Sequence, residues 1–498
     1  MVCYLNKYVY NYLIFNKLIA VIIMFLNKFK SYFLKNKLLF IIMFLLLIFS
    51  SVYTILPDLP FWDEGVYVVN GKNLFSGGEI GVYENFRPPV MGLLLGFFWW
   101  IGLSPIVFGK IFIIICLLLL IYFTYTISEK LYKNSGIYSV LFLLVSYVFL
   151  IFTNKVLSGI PAALFCLISI YLFLEKKQLL SGIFLGLAFL TRFTSGLLLF
   201  IFGLILVIDL IKTKNFKKII ISFLKILIGF LILVIPYLII NKIVFGAFIL
   251  PIINAQNVLL PSSFDLKTNG FIFYSWILLK QGLVFVFFII SLIFFFIKKR
   301  YRTLQYLTII LPAVLYFLYF SILPHFEERY IITLLPYFAI VSGIVLLEII
   351  QSYFRKNLKY YRKLFFIILI SIFIIIFLIV IADKIHVGIR DNAKEYYTFF
   401  KDKNDVGFII INDPIFGIYY DGEFEYLSSP YYANRNLEFY PGRYKYITAN
   451  KSFFDCSFKT ENCETSIIEF KQKLETDYTL VYERYFYGDF HYIYKINN

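Results

Sequence analysis

The chain has 498 residues, 61% hydrophobic and only 15% charged, with 21% aromatic residues and a formal net charge of +17. Soluble domains carry roughly a quarter charged residues, so a soluble enzyme of this composition could not cover its surface; disordered, collagen-like and disulfide-scaffold classes are excluded too. From Asp383 onward 14 Lys/Arg face 18 Asp/Glu, a net of −4, which leaves +21 on the preceding 382 residues. In a membrane chain such a surplus reads as topology, with Lys and Arg gathered in cytoplasmic loops, and not as nucleic-acid binding.

Residues 1–37 read as a cytoplasmic or interfacial N-terminal segment. Asn11–Leu26 is apolar but broken by Asn16 and Lys17, and without a cleavage-site pattern the N-terminus is expected to be retained. Runs long enough to span follow at Leu38–Leu56, Ile106–Ile127, Gly136–Phe152, Val156–Leu174, Ile219–Ile240, Gly282–Ile297, Thr303–Leu323, Tyr330–Ile350 and Leu364–Ala382. The stretch Leu179–Leu210, interrupted by Arg192, fits two short helices meeting near Thr191–Ser195. The expected fold is thus an all-α polytopic membrane domain over 38–382, with about eleven transmembrane helices.

Pro88–Gly102 is apolar but reaches only about 22 Å as a helix, short of a ~30 Å hydrocarbon core. If it does not cross, the clusters Lys28–Lys37, Glu129–Lys133, Lys176–Lys177, Lys212–Lys218, Lys298–Arg302 and Arg355–Lys363 all share one side. That side is basic and therefore cytoplasmic; if the segment crossed, the first cluster would oppose the other five. Pro88–Gly102 is accordingly expected to be an interfacial helix on the outer face, inside a first external loop at 57–104. The tail 383–498 alternates polar, aromatic and β-branched residues and reads as a small mixed α/β extracytoplasmic domain. Cys456 and Cys463 are candidates for a disulfide there if outside the cell, with two free thiols equally open. Asn450-Lys451-Ser452 is a glycosylation triplet of the kind that arises by chance.

Four groups of polar residues fall on the outer side. Asp63 and Glu64 follow the first span, beside Trp62 and Tyr67 as interfacial aromatics. Such a carboxylate suits a general base, although acids also cap the helix expected at Gly65–Phe75. Arg87 precedes Pro88-Pro89, which fix a helix start whose amides suit an anion such as phosphate; a snorkelling Arg in a turn is the alternative. Arg192 is a lone cation at membrane depth, which points to function or to snorkelling. Arg329 and Tyr330 stand where an outer loop enters a span and suit a phosphate or a sugar hydroxyl. His325 and Glu327 on that loop are too few for a convincing divalent-metal site, and no cofactor is otherwise implied.

In this order, four pieces resemble the polytopic GT-C glycosyltransferases that use lipid-phosphate-linked sugars, specifically the protein O-mannosyltransferase and aminoarabinose-transferase-like families. They are Trp62-Asp63-Glu64-Gly65-Val66-Tyr67, Arg87-Pro88-Pro89, Leu185-Gly186-Leu187-Ala188-Phe189-Leu190-Thr191-Arg192 and Arg329-Tyr330, within about residues 38–350. The resemblance implies an external active site with Asp63 as catalytic base and Glu64 as its neighbouring acid. It implies donor-phosphate or substrate contacts at Arg87, Arg192, Arg329, Tyr330 and Tyr67. The donor would be a polyprenyl- or dolichyl-phosphate sugar, and the acceptor a hydroxyl on a glycan, lipid or protein, attacked with inversion. Two departures stand out: Arg87 occupies a place where the family commonly has His, and Gly159 a place where many members have an acid. A metal-dependent oligosaccharyltransferase mechanism is therefore not expected. The rival class is a polytopic transporter or flippase, but no inverted repeat is visible and the acids cluster outside the apolar core.

Overall fold

The computed structural model describes residues 36–497 apart from 57–59, 260–269, 282, 324–325, 391–392, 402, 404–405, 428–429, 441, 455–462 and 487. Asn11–Leu26, His325 and the Cys456–Cys463 pairing lie outside the described residues. The chain falls into two units, Met1–Phe49 and Ser50–Asn498. The first supplies most of helix α1 (Lys37–Ile55), and all packing described here is internal to the second.

The helices in order are α2 (Trp62–Phe75), α3 (Pro89–Trp100), α4 (Pro105–Leu131), α5 (Gly136–Leu144), α6 (Tyr147–Phe152), α7 (Gly159–Leu174) and α8 (Gln178–Thr191). They continue as α9 (Leu197–Thr213), α10 (Phe216–Phe245), α11 (Leu250–Leu259), α12 (Gly270–Lys280), α13 (Leu283–Ile297), α14 (Leu304–Ile322), α15 (Leu335–Tyr353) and α16 (Leu358–Arg390). Seven helices among the described residues are long and apolar enough to cross a membrane, or eight if the bent pair α12 and α13 forms one span. The count by length is below the eleven read from hydropathy because several apolar runs are broken. Gly136–Phe152 splits into α5 and α6 at Ser146, where Gln281 Oε1 accepts from Ser146 Oγ (2.9 Å) and Val148 N (3.1 Å). α7 and α8 are shorter apolar helices. The break near Thr191–Ser195 falls where expected: Arg192 is extended (φ −156°) and a 3-10 turn at Phe193–Gly196 leads into α9. Pro89–Trp100 is likewise a 12-residue helix, with Pro88 ahead of it fixing its start.

Two environments sort the apolar residues. α15 is buried almost all round, as a helix apolar on every face must be. α10 instead exposes a stripe, Ile228 (52%), Ile232 (50%), Ile235 (46%) and Ile239 (48%), which lipid covers and water would not. α8 and α10 meet backbone to backbone: a Cβ on Gly182 would stand 2.0 Å from the Ile226 carbonyl oxygen. Small residues permit the same close approach between membrane helices generally. This is a multi-pass membrane protein.

After α16 the chain forms a small mixed domain, with α17 (Lys394–Tyr397), β1 (Phe408–Ile411), α18 (Phe416–Tyr419), β2 (Phe424–Tyr426), α19 (Pro430–Phe439), β3 (Tyr444–Asn450), α20 (Cys463–Asp477), β4 (Tyr478–Phe486) and β5 (Asp489–Ile496). The strand order is β2-β1-β3-β5-β4; β1 runs parallel to β2 and β3, and β5 antiparallel to β3 and β4. Because side chains alternate across a strand, Ile409 and Ile411 join Tyr396, Phe416 and Val69 on one face, while Ile410 joins Tyr444 and Phe470 on the other. His491 is stacked on Phe486 (centroids 3.7 Å), and burial pulls its imidazole down to about 4. A base whose folded pKa is depressed binds fewer protons than the unfolded chain between pH 4 and 6.5. The domain should therefore keep its full stability above pH 6.5 and lose it progressively as pH falls toward 4. Thermal unfolding followed across that range should show the slope, and His491→Phe should flatten it.

Candidate active site

α2 begins with Trp62, Asp63 and Glu64 and packs along α3, so closely that a Cβ on Gly96 would stand 2.4 Å from the Gly71 carbonyl oxygen. The loop between the two helices is pinned to α2 by Asn70, whose Oδ1 accepts from Glu84 N (2.9 Å). That loop delivers Arg87. Its Nη2 lies 3.1 Å from Asp63 Oδ1, and its Nε donates to Glu84 Oε2 (3.0 Å). From the far side, Arg329 in the 3-10 turn Glu328–Thr333 donates to Asp63 Oδ2, and it pairs with both oxygens of Glu327. One buried carboxylate thus sits between two guanidiniums, each also held by a second carboxylate. Burial disfavours the charge on Arg87, but Asp63 and Glu84 outweigh it and hold the guanidinium firmly protonated. Arg329 is raised in the same way by Asp63 and Glu327. Glu84 moves upward through its burial, with Arg87 opposing. Aromatic faces complete the walls: Arg87 lies over Trp62 (5.6 Å) and Phe86 (5.2 Å), and Arg329 over Phe61 (5.2 Å).

Arg192 continues this row. It lies over the ring of Tyr330 (4.9 Å), next in sequence to Arg329, and over Phe320 (5.9 Å). Among the described residues no carboxylate lies within ion-pair distance of it. A Cβ on Gly159 would stand 3.6 Å from Arg192 Nη1, so the glycine leaves open the place beside this cation. Tyr67 donates to Ser158 Oγ (3.3 Å), just ahead of α7.

Glu64 points elsewhere. Its Oε2 accepts from Phe61 N, and its Oε1 accepts from Val156 N (2.5 Å), so both oxygens clasp backbone amides. Burial pushes this carboxyl up, while Lys155 and the two amides pull it back. Glu64→Gln would turn an NH2 toward one of those amides, and should cost about 1–3 kcal/mol in unfolding free energy measured in detergent.

The folded chain thus brings Asp63, Arg87, Arg329, Tyr330 and Arg192 together, and sets Glu64 and Tyr67 on supporting bonds. Sequence reading missed Glu84 and Glu327 as the arginines' second carboxylates; their spacing of three and two from Arg87 and Arg329 was the available signal. The small domain, for which the sequence leaves open a covering or acceptor-recognising role, packs against the start of α2. A Cβ on Gly65 would strike Pro414 (2.7 Å), and Tyr426 meets Trp62 edge to face (6.2 Å).

A bundle of apolar helices, a short 12-residue apolar helix beside it and a small mixed C-terminal domain are the architecture of a membrane glycosyltransferase of the GT-C type. Residues 90–404 match the Alg9-like mannosyltransferase family, and the chain belongs to it; the matched interval does not include Asp63 or Arg87. Among solved structures, ArnT from Cupriavidus metallidurans bound to undecaprenyl phosphate is similar at a TM-score of 0.67 and 12% identity, covering 91% of this chain and 97% of that one. The apo state of the same ArnT gives 0.59 at 14% identity, over 90% and 96%. The apo oligosaccharyltransferase of Archaeoglobus fulgidus gives 0.60 at 12% identity, over 90% and 73%. No curated protein sequence matches the chain.

Proposed function

We propose that this chain transfers a monosaccharide from a polyprenyl-phosphate-linked donor to an acceptor hydroxyl at the external membrane face, inverting the sugar, with Asp63 as general base. The observation that carries the reading is Asp63 held between Arg87 and Arg329, with Arg192 alongside and, among the described residues, without a carboxylate in ion-pair distance. Both Asp63 oxygens are bonded to guanidiniums, Oδ1 to Arg87 and Oδ2 to Arg329. A donor phosphate is, like a carboxylate, a bidentate partner for guanidinium. It would draw the arginines onto itself, assist its own departure and leave Asp63 to take the acceptor's proton as the hydroxyl attacks the anomeric carbon. The ArnT neighbour was solved with undecaprenyl phosphate, which supports a lipid-phosphate donor. Glu64 serves to hold Asp63 in place, and the small domain to cover the site and admit the acceptor.

The purified chain in proteoliposomes, given polyprenyl-phosphate mannose or a nucleotide-linked mannose, should consume only the first. Consumption of the nucleotide sugar alone would overturn the reading. Arg192→Gln should raise the KM for the lipid donor roughly tenfold, with a smaller change in kcat, because it removes one charge-assisted phosphate contact.

A further inference from the structure

At the ends of the bundle opposite Asp63 lies a second cavity, of about 250 Å³, bounded by α7, α8, α9, α10 and α14. Three lysines converge on it from separate places: Lys176 at the α7–α8 turn, where φ is +58°, and Lys218 and Lys225 two turns apart on α10. Among the described residues none of the three is in an ion pair. One carboxylate, Asp209, also lines the cavity, so the lining carries a net charge of about +2 and has room for an anion. Its lining also holds an acceptor: Gln178 Oε1 is buried and, among the described residues, has no hydrogen-bond partner.

The apolar wall says what kind of anion. Ile221 of α10 lines the cavity and is 43% exposed. It heads the outward stripe that runs through Leu224, Ile228, Ile232, Ile235 and Ile239, at helical spacings of three and four. The cavity is therefore a polar mouth at the membrane boundary, opening onto a continuous apolar track one helix long.

The geometry points to a binding site for an anionic glycerophospholipid: the phosphate sits among Lys176, Lys218 and Lys225, a headgroup hydroxyl donates to Gln178, and the acyl chains lie along the exposed stripe of α10. The site is remote from the Asp63 cluster and does not depend on the donor chosen there. A free phosphate offers the same charge but leaves the stripe unused.

The test uses the purified full-length chain in a neutral detergent, with its unfolding temperature followed while phosphatidylglycerol, phosphatidylcholine or inorganic phosphate is added. Phosphatidylglycerol should stabilise, and the other two should do so far less. The triple variant K176Q/K218Q/K225Q, altered only at solvent-exposed side chains, should need roughly tenfold more phosphatidylglycerol for half the effect, since each lysine near a lipid phosphate contributes appreciably. Asp209→Asn removes the opposing charge and should reduce the amount needed, which gives a second arm should the triple variant fold poorly. Equal response of wild type and triple variant, or weaker binding by Asp209→Asn, would overturn the proposal. Stabilisation by inorganic phosphate equal to that by phosphatidylglycerol would overturn the lipid assignment and leave a soluble-anion site.

Discussion

Asp63→Asn should lower sugar transfer by about 10²–10⁴-fold, the usual worth of general-base help. It should leave the KM for the lipid donor unchanged or lower. The asparagine keeps the size and hydrogen-bonding reach of the side chain, but it cannot accept the acceptor's proton, and it no longer competes with phosphate for Arg87 and Arg329. Those arginines retain Glu84 and Glu327, so the fold should persist. The split between rate and donor affinity separates a base from a structural anchor, whose loss would raise the KM and lower stability together. Transfer by Asp63→Asn at the wild-type rate would remove Asp63 from the chemistry.

Lys72→Met should be the most destabilising single change outside the bundle core. Lys72 lies on α2, only 1% exposed, and its ammonium donates to Gly417 O (2.7 Å), Tyr420 O (3.2 Å) and Asp421 Oδ1 (2.6 Å). Trp99 of α3 donates to the same Asp421 oxygen (3.0 Å). Burial draws the ammonium below the ordinary lysine range while Asp421 opposes it. The clamp thus ties the small domain to both helices of the site, where Gly65 and Gly417 already leave no room for a side chain. Methionine fills the space but leaves two carbonyls without a donor, which should cost about 2–4 kcal/mol. Asp421→Asn should cost under about 1 kcal/mol, because that carboxylate is 67% exposed and its pair is screened. Unfolding in detergent gives the ranking. In Lys72→Met the donor should also be lost increasingly to water instead of to acceptor, as the small domain loosens over the site. Equal stability of the two variants would mean that the clamp does not hold the domain.

Hydropathy located the helices well, because a membrane span must be apolar over its whole length and bounded by charge. The shortness of the helix Pro89–Trp100 was legible from the prolines that open it and the glycine that follows it, and so was the break at Arg192. The interruption at Ser146 was not: it is made by Gln281, which is distant in sequence and silent in any local window. Within the site, Asp63 and Glu64 are adjacent acids indistinguishable by type. A helix turns about 100° per residue, so one faces the arginines and the other faces the Phe61 and Val156 amides. The Lys72–Asp421 clamp joins positions 349 residues apart, so no local pattern in the sequence pairs them.

The reading rests on the Asp63 loop facing out of the cell. Glu79, exposed in the loop between α2 and α3, offers the direct check. In a chain whose native cysteines have been replaced, Glu79→Cys should react with a membrane-impermeant maleimide in intact cells. Reaction only after the membrane is permeabilised would place the loop in the cytoplasm and contradict the account.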